Sequence, residues 1–197
     1  MNGRPLPLLL IDVDGPLNPY AAKPSKRPEG YLTYRMRPIG WENPRQKPLR
    51  VWLNPAHGTQ LLALPFNLVW ATTWAHEANQ WIGPHLGLPD LPVITWPDDQ
   101  KTAPSPYWKS QPTVFWKTRT IVEYAAGRPF AWIDDDFTDL DREYVAQHHE
   151  GPALLHHVQP RLGLLPDDFE ALAAWAESLT ATGDEGDKHG TGTPHGT

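Results

Sequence analysis

The side chains best placed to do chemistry are carboxylates that follow short apolar runs. Asp12 and Asp14 close the run Leu6–Val13, in the segment Ile11-Asp12-Val13-Asp14-Gly15-Pro16-Leu17-Asn18. Asp134, Asp135 and Asp136 close a second run, Pro129–Ile133. Thr72 and Thr73 follow a third, Asn67–Ala71, and Lys117 lies between the second and third of these. Carboxylates can attack an electrophile, exchange protons or hold a hard cation. Attack on phosphorus needs the carboxylate in line and the charge of the phosphate neutralised. Crowded aspartates repel each other and a dianionic substrate, so such a set calls for a divalent cation, and carboxylate and carbonyl oxygens suit Mg²⁺. Asp-x-Asp alone is common in turns and also serves metal-bound nucleotide-sugars in some glycosyltransferases, so the weight rests on the whole ordered set.

The elements that must position these groups alternate between strand and helix signals. Leu6–Val13 is continuously apolar, as expected of a strand covered on both faces. Asn54-Pro55 opens a short helix to Leu64, with proline at its first position. Asn67–Ala71 is a second strand, followed by a helix over about Trp74–Leu86, and Leu91–Thr95 is a third strand. Gln111-Pro112-Thr113 starts a helix whose Val114, Thr118, Ile121, Val122 and Ala125 share one face, with Gly127 as its stop. Pro129–Ile133 and Ala153–Val158 are the fourth and fifth strands, and Pro166 begins a last helix with Phe169, Leu172, Ala173, Ala176 and Leu179 on its apolar side. The alternation predicts an α/β fold: a mostly parallel five-stranded sheet in a Rossmann-like three-layer α/β/α sandwich. Ligands in such sheets bind at the carboxyl ends of the strands, where these polar residues collect.

Taken together, the motifs resemble the haloacid dehalogenase (HAD) superfamily of phosphohydrolases: a strand ending in Asp-x-Asp-Gly (Asp12, Asp14, Gly15), a strand ending in Thr (Val69-Trp70-Ala71-Thr72), a helix-borne Lys117, and a strand ending in paired Asp (Trp132-Ile133-Asp134-Asp135). The resemblance spans about Leu6 to Leu179, and the wording Trp-Ala-Thr-Thr-Trp and Trp-Ile-Asp-Asp resembles the HAD domains of Swiss Army Knife RNA-repair proteins. It implies a Mg²⁺-dependent phosphoric monoester hydrolase. Asp12 would attack and form an aspartyl-phosphate, and Asp14 would protonate the leaving oxygen and then deprotonate the hydrolytic water. By the same resemblance a carboxylate oxygen of Asp12, the backbone carbonyl of Asp14, Asp134 and Asp135 would hold the metal. Thr72, preferred over its neighbour Thr73, would hydrogen-bond a phosphoryl oxygen, Lys117 would supply positive charge, and Gly15 would let the backbone turn beneath the phosphate. A helix N-cap role among the aspartates falls instead to Asp136 or Thr138.

Composition narrows the rest. The chain has 197 residues, enough for one domain of ordinary size, and no cysteine, which excludes disulfides, zinc ribbons and thiol nucleophiles. Its net charge of −6 excludes a uniformly basic nucleic-acid coat. No apolar run approaches the roughly 20 residues that span a bilayer, so a cytoplasmic protein without membrane contact is expected. From Lys23 to Arg50, however, eight basic residues face two acidic ones. This segment lies within an insertion at about 18–53, after the first strand, where the resemblance implies a cap over the site. Tyr31–Arg37 and Leu49–Leu53 can pair as a small flap, although Pro38, Pro44 and Pro48 interrupt regular pairing. Arg35 and Arg37 are its candidate substrate contacts, and Trp41 and Trp52 its candidate stacking platforms. The expected partner is a phosphorylated substrate, a nucleotide or a nucleic-acid end. A non-catalytic module of the same fold that binds nucleic acid or a protein is the alternative. Residues 1–180 read as the hydrolase domain and 181–197, without a large aliphatic residue, as a disordered tail. His148-His149 and His156-His157 suggest a metal, but neighbours on a strand point to opposite faces.

Overall fold

The computed structural model describes residues 5–97 and 113–181. In chain order these form β1 (Leu8–Ile11), β2 (Leu32–Met36), β3 (Leu49–Leu53), α1 (Ala56–Ala63), β4 (Asn67–Trp70), α2 (Gly83–Leu86), α3 (Thr118–Ala125), β5 (Phe130–Asp134), α4 (Asp139–His148), β6 (Ala153–His157) and α5 (Pro166–Ala181). β4-β1-β5-β6 make one parallel sheet, and β2 and β3 make a separate antiparallel ribbon. The expected tail and the expected helix start at Gln111-Pro112 lie outside the described residues. No helix among the described residues is long and apolar enough to cross a membrane.

The period-2 alternation of strand side chains divides the core into two layers. Leu9, Ile11, Leu68, Trp70, Ala131 and Ile133 point to one face and pack on Leu61 of α1, Leu86 of α2, and Phe169, Leu172 and Ala176 of α5. Leu8, Leu10, Val69, Phe130 and Trp132 point to the other and pack on Ile121 and Ala125 of α3 and Val145 of α4. Burial of one such side chain is worth about 1.5–3 kcal/mol, so continuous apolarity along β1 is what a two-faced central strand requires. Met36, Val51 and Leu53 join the first layer, which anchors one face of the ribbon to the domain.

The sheet has four strands rather than five. Leu91–Thr95 contributes only a single parallel bridge, Val93 to Trp70, made by Trp70 N–H to the Pro92 carbonyl (2.9 Å) and Ile94 N–H to the Trp70 carbonyl (2.9 Å). Pro92 has no N–H to donate, so the ladder cannot extend toward Leu68, and on the other side the Thr72 carbonyl accepts the Trp96 indole N–H instead (2.9 Å). The continuous helix expected over about Trp74–Leu86 is broken into a π-helical turn, Ala78–Ile82, and the short α2. Pro84 lacks the N–H that would continue the α ladder, and the wider turn accommodates it. Pro55 sits at the N-cap of α1 rather than at its first turn, and Asn54 Oδ1 accepts the Ala56 N–H (3.1 Å). The prolines of the 37–48 connection fall between β2 and β3, so their register, Leu32 opposite Leu53 to Met36 opposite Leu49, is uninterrupted.

α1 packs against α2 at Gly58, where a Cβ would lie 1.6 Å from the Leu86 carbonyl oxygen. In an exposed helix Gly→Ala would gain up to about 1 kcal/mol. Here Gly58→Ala collides with main chain, and chemical denaturation should show a loss of about 1–3 kcal/mol.

Candidate active site

Parallel register brings the carboxylates together. β1 lies between β4 and β5, with Ile11 level with Trp70 on one side and Ile133 on the other. The residues that follow, Ala71, Asp12 and Asp134, therefore share the carboxyl edge, and the Asp12 N–H donates to the Ile133 carbonyl (3.1 Å). The chain passes from β1 to β4 on one side and then to β5 on the other, so this edge is the topological switch point where open α/β sheets bind ligands.

Lys117, only 2% exposed, immediately precedes α3 and reaches this edge. Its Nζ lies 2.8 Å from Asp134 Oδ2 and 3.0 Å from Asp12 Oδ2, bridging the ends of β5 and β1. Burial alone would lower the pKa of this ammonium, but the charges of Asp12 and Asp134 more than offset it and raise the value above the ordinary one. Asp134 is fully buried and fully engaged. Its Oδ1 accepts the N–H groups of Asp135 (2.8 Å) and Asp136 (3.1 Å), and its Oδ2 also accepts the Trp132 indole N–H (3.2 Å). Asp12 Oδ1 accepts the Val13 N–H (2.8 Å). Burial, only partly countered by Lys117, pushes the Asp12 carboxyl up. Asp135 accepts from the Tyr20 hydroxyl (3.1 Å). Burial, then the charges of Asp134 and Asp136, lift its pKa to about 7.

One oxygen each from Asp12, Asp134 and Asp135 lies within 4.8 Å of the others. With all three ionised, three carboxylates against one ammonium leave two negative charges, which a divalent cation would balance. The all-oxygen donor set fits a hard ion. Gly15 makes room for the Asp135 carboxylate: its φ is +98° and a Cβ there would stand 2.3 Å from Asp135 Oδ1.

Asp14 is close by, but its carboxylate is held elsewhere: Oδ1 accepts from Asn18 Nδ2 (2.7 Å) and Oδ2 from the Trp74 indole N–H (3.0 Å). Thr72 is fully buried at the end of β4. Its hydroxyl oxygen accepts the Trp74 N–H (3.3 Å) and its carbonyl accepts the Trp96 indole N–H (2.9 Å). Thr73 is exposed and instead lines a cleft of about 700 Å³ that opens beside Asp14, between Trp74 and the ribbon residues Ile39, Trp41, Leu49 and Arg50.

The basic segment divides. Arg37 donates to the carbonyls of Trp41 (3.1 Å), Asn43 (3.0 Å) and Gln46 (3.0 Å), so it holds the loop between β2 and β3 together. Arg35 is exposed and directly opposite Arg50. Trp52 is buried, its indole N–H donating to Thr33 Oγ1 (2.9 Å), whereas Trp41 faces the cleft. The paired histidines diverge: His156 meets Asp168 (2.7 Å) and His157 meets the Asp135 carbonyl (3.1 Å).

Sequence reasoning missed Asp141. Fully buried on α4, it accepts from Thr138 N–H (2.7 Å) and Oγ1 (2.9 Å) and also from Phe115 N–H (2.6 Å) and Thr118 Oγ1 (2.6 Å). The first pair caps α4 at Thr138; the second fixes the turn that carries Lys117. Thr138-x-x-Asp141 was the only local signal, and it announces a helix start, not a cross-link to Phe115. Asn18 was missed as well; its Oδ1 accepts the Trp52 N–H (3.0 Å), which leaves Nδ2 to face Asp14. No family model, curated protein or solved structure matches the chain.

Two outcomes follow from this geometry. The folded-state pKa of Asp135 lies above its ordinary 3.8, so its own contribution to the stability of the metal-free protein should fall as pH rises from about 4 to 7. A divalent cation favours the ionised carboxylates, so Mg²⁺ should raise the thermal midpoint more at pH 8 than at pH 5, as differential scanning fluorimetry would read directly. Asp141→Asn turns an amide NH₂ toward at least one pair of donors. It should cost about 2–3 kcal/mol in urea unfolding.

Proposed function

We propose that the protein is a Mg²⁺-dependent phosphatase that hydrolyses phosphomonoesters through an aspartyl-phosphate at Asp12, in the manner of the HAD superfamily its motifs resemble. The observation that carries this reading is Lys117 held within 3.0 Å of Asp12 and 2.8 Å of Asp134 beside a third carboxylate, Asp135. An ordinary structural ion pair has no need of three buried or half-buried carboxylates around one ammonium. Asp12, Asp134 and Asp135, with the Asp14 carbonyl, would hold the Mg²⁺. When bound, the ion supplies charge neutralisation at the phosphoryl oxygens.

In the first step a carboxylate oxygen of Asp12 forms a bond to phosphorus as the bond to the leaving oxygen breaks, and Asp14 delivers a proton to that oxygen. In the second, water attacks phosphorus while Asp14 takes its proton, releasing phosphate and restoring the Asp12 carboxylate. Lys117 offsets the negative charge around Asp12 throughout. Among the described residues the Thr72 hydroxyl oxygen is engaged only as an acceptor, so its proton is available to a phosphoryl oxygen. The Asn18–Trp74 clamp keeps the Asp14 carboxylate at the floor of the cleft, on the side where the leaving group would lie.

The ribbon of β2 and β3 serves in this reading as a small flap. The cleft beneath it is far larger than a phosphoryl group and has aromatic residues in its walls, which favours a nucleotide or a nucleic-acid end over a small sugar phosphate. Hydrolysis of an aryl phosphate should require Mg²⁺ and stop with EDTA. Asp12→Asn should lower it by roughly 10³-fold or more with the circular dichroism spectrum retained; activity close to that of the parent would remove Asp12 as the nucleophile.

A further inference from the structure

We propose that the cleft selects a phosphomonoester whose leaving group carries a second phosphate or phosphodiester, bound by Arg50 and Arg35. This inference rests on the phosphatase reading and specifies its substrate. β2 and β3 pair with Arg35 directly opposite Arg50, so both side chains leave the ribbon on the same face, the one turned away from Met36, Val51 and Leu53. Like charges in direct cross-strand register are destabilising, and a counter-charge between them removes the penalty. Among the described residues no carboxylate pairs with either arginine. Two other arginines of the basic segment are engaged: Arg37 holds three loop carbonyls and Arg27 donates to Thr33 Oγ1 (3.1 Å).

Arg50 is also shaped for the task. Its guanidinium lies 3.9 Å over the ring of Trp52, which fixes its plane while leaving the N–H edge free to meet oxygen atoms. Arg50 lines the same cleft as Asp14, the residue that faces the leaving oxygen in the proposed reaction, so one molecule can reach both. The aromatic walls at Tyr20, Trp41 and Trp74 leave space for a ring between the two anions. The cleft's other carboxylate, Glu77, accepts the Ile39 N–H (2.8 Å). A nucleoside that carries two phosphates on its ribose, with the planar base as a side branch, offers these three groups in one molecule. Such a molecule is either a free nucleoside bisphosphate or the end of a polynucleotide.

The test compares three probes: adenosine 5′-monophosphate, adenosine 3′,5′-bisphosphate and a 5′-phosphorylated dinucleotide. With Mg²⁺, at least one of the two doubly anionic probes should show kcat/KM about tenfold above the monophosphate, expressed in KM and shrinking as salt rises. A gain for both marks the second phosphate itself as the feature read. A gain for the bisphosphate alone assigns a free metabolite, and for the dinucleotide alone a polynucleotide end. Arg50→Ala and Arg35→Ala should each reduce the ratio toward one, and Arg50→Lys should restore less than half of it. Equal kcat/KM for all three probes, or a ratio untouched by both substitutions, overturns the inference while leaving the phosphatase intact. If no probe is turned over, the phosphatase reading fails separately. Titration calorimetry then applies the same ranking to binding, and equal affinities overturn the second-anion site on its own.

Discussion

The site depends on one buried ammonium placed between two strand ends. Lys117 bridges Asp12 and Asp134 with almost no solvent access, so each charge relies on the others for the solvation that water no longer provides. An isolated buried charge would cost several kcal/mol, and removing any one member of this trio exposes the rest to that penalty. The arrangement is still short of positive charge because Asp135 adds a third carboxylate within reach. Burial pushes Asp12 and Asp135 toward their neutral forms, and a further cation would favour both as carboxylates. In the proposed reading, metal binding here would follow from the electrostatics of the site before any reaction is considered.

Donors of fixed polarity hold this cluster in place. An indole N–H can only donate, and three of them grip the site: Trp132 on Asp134, Trp74 on Asp14 and Trp96 on the Thr72 carbonyl. Each ring packs in the apolar interior while its nitrogen orients a polar group, so these tryptophans are core and site residues at once. Asp141 does the converse, a buried acceptor that ties the turn before α3 to the start of α4 and so sets the reach of Lys117. Asn18 links the ribbon to Asp14 in the same way, with its amide orientation dictated by the Trp52 N–H.

The sheet edge was legible because it is built from local signals. An uninterrupted apolar run followed by aspartate or threonine marks a buried strand and its carboxyl end, and β1, β4 and β5 all carry that mark. Leu91–Thr95 carries it too, but Pro92 removes a donor the ladder needs, and pattern alone could not show that a single bridge would survive. Arg37 was indistinguishable from Arg35 in sequence; only the course of the 37–48 loop placed three carbonyls around one guanidinium and left the other exposed. Trp52 likewise needed the ribbon's register to show that its ring lies beneath Arg50, not open to a ligand. Asp141 is the clearest limit: its partners at Phe115 and Thr118 are more than 20 residues away, and no spacing rule spans that distance.

The most direct measurement is an anomalous difference map from crystals grown with Mn²⁺ in place of Mg²⁺. One strong peak is expected at the carboxyl edge of the sheet, within coordinating distance of Asp12 and Asp134 and beside Asp135, with Lys117 still bridging the first two. A peak elsewhere, or none at millimolar Mn²⁺ with the three carboxylates ordered, would contradict it.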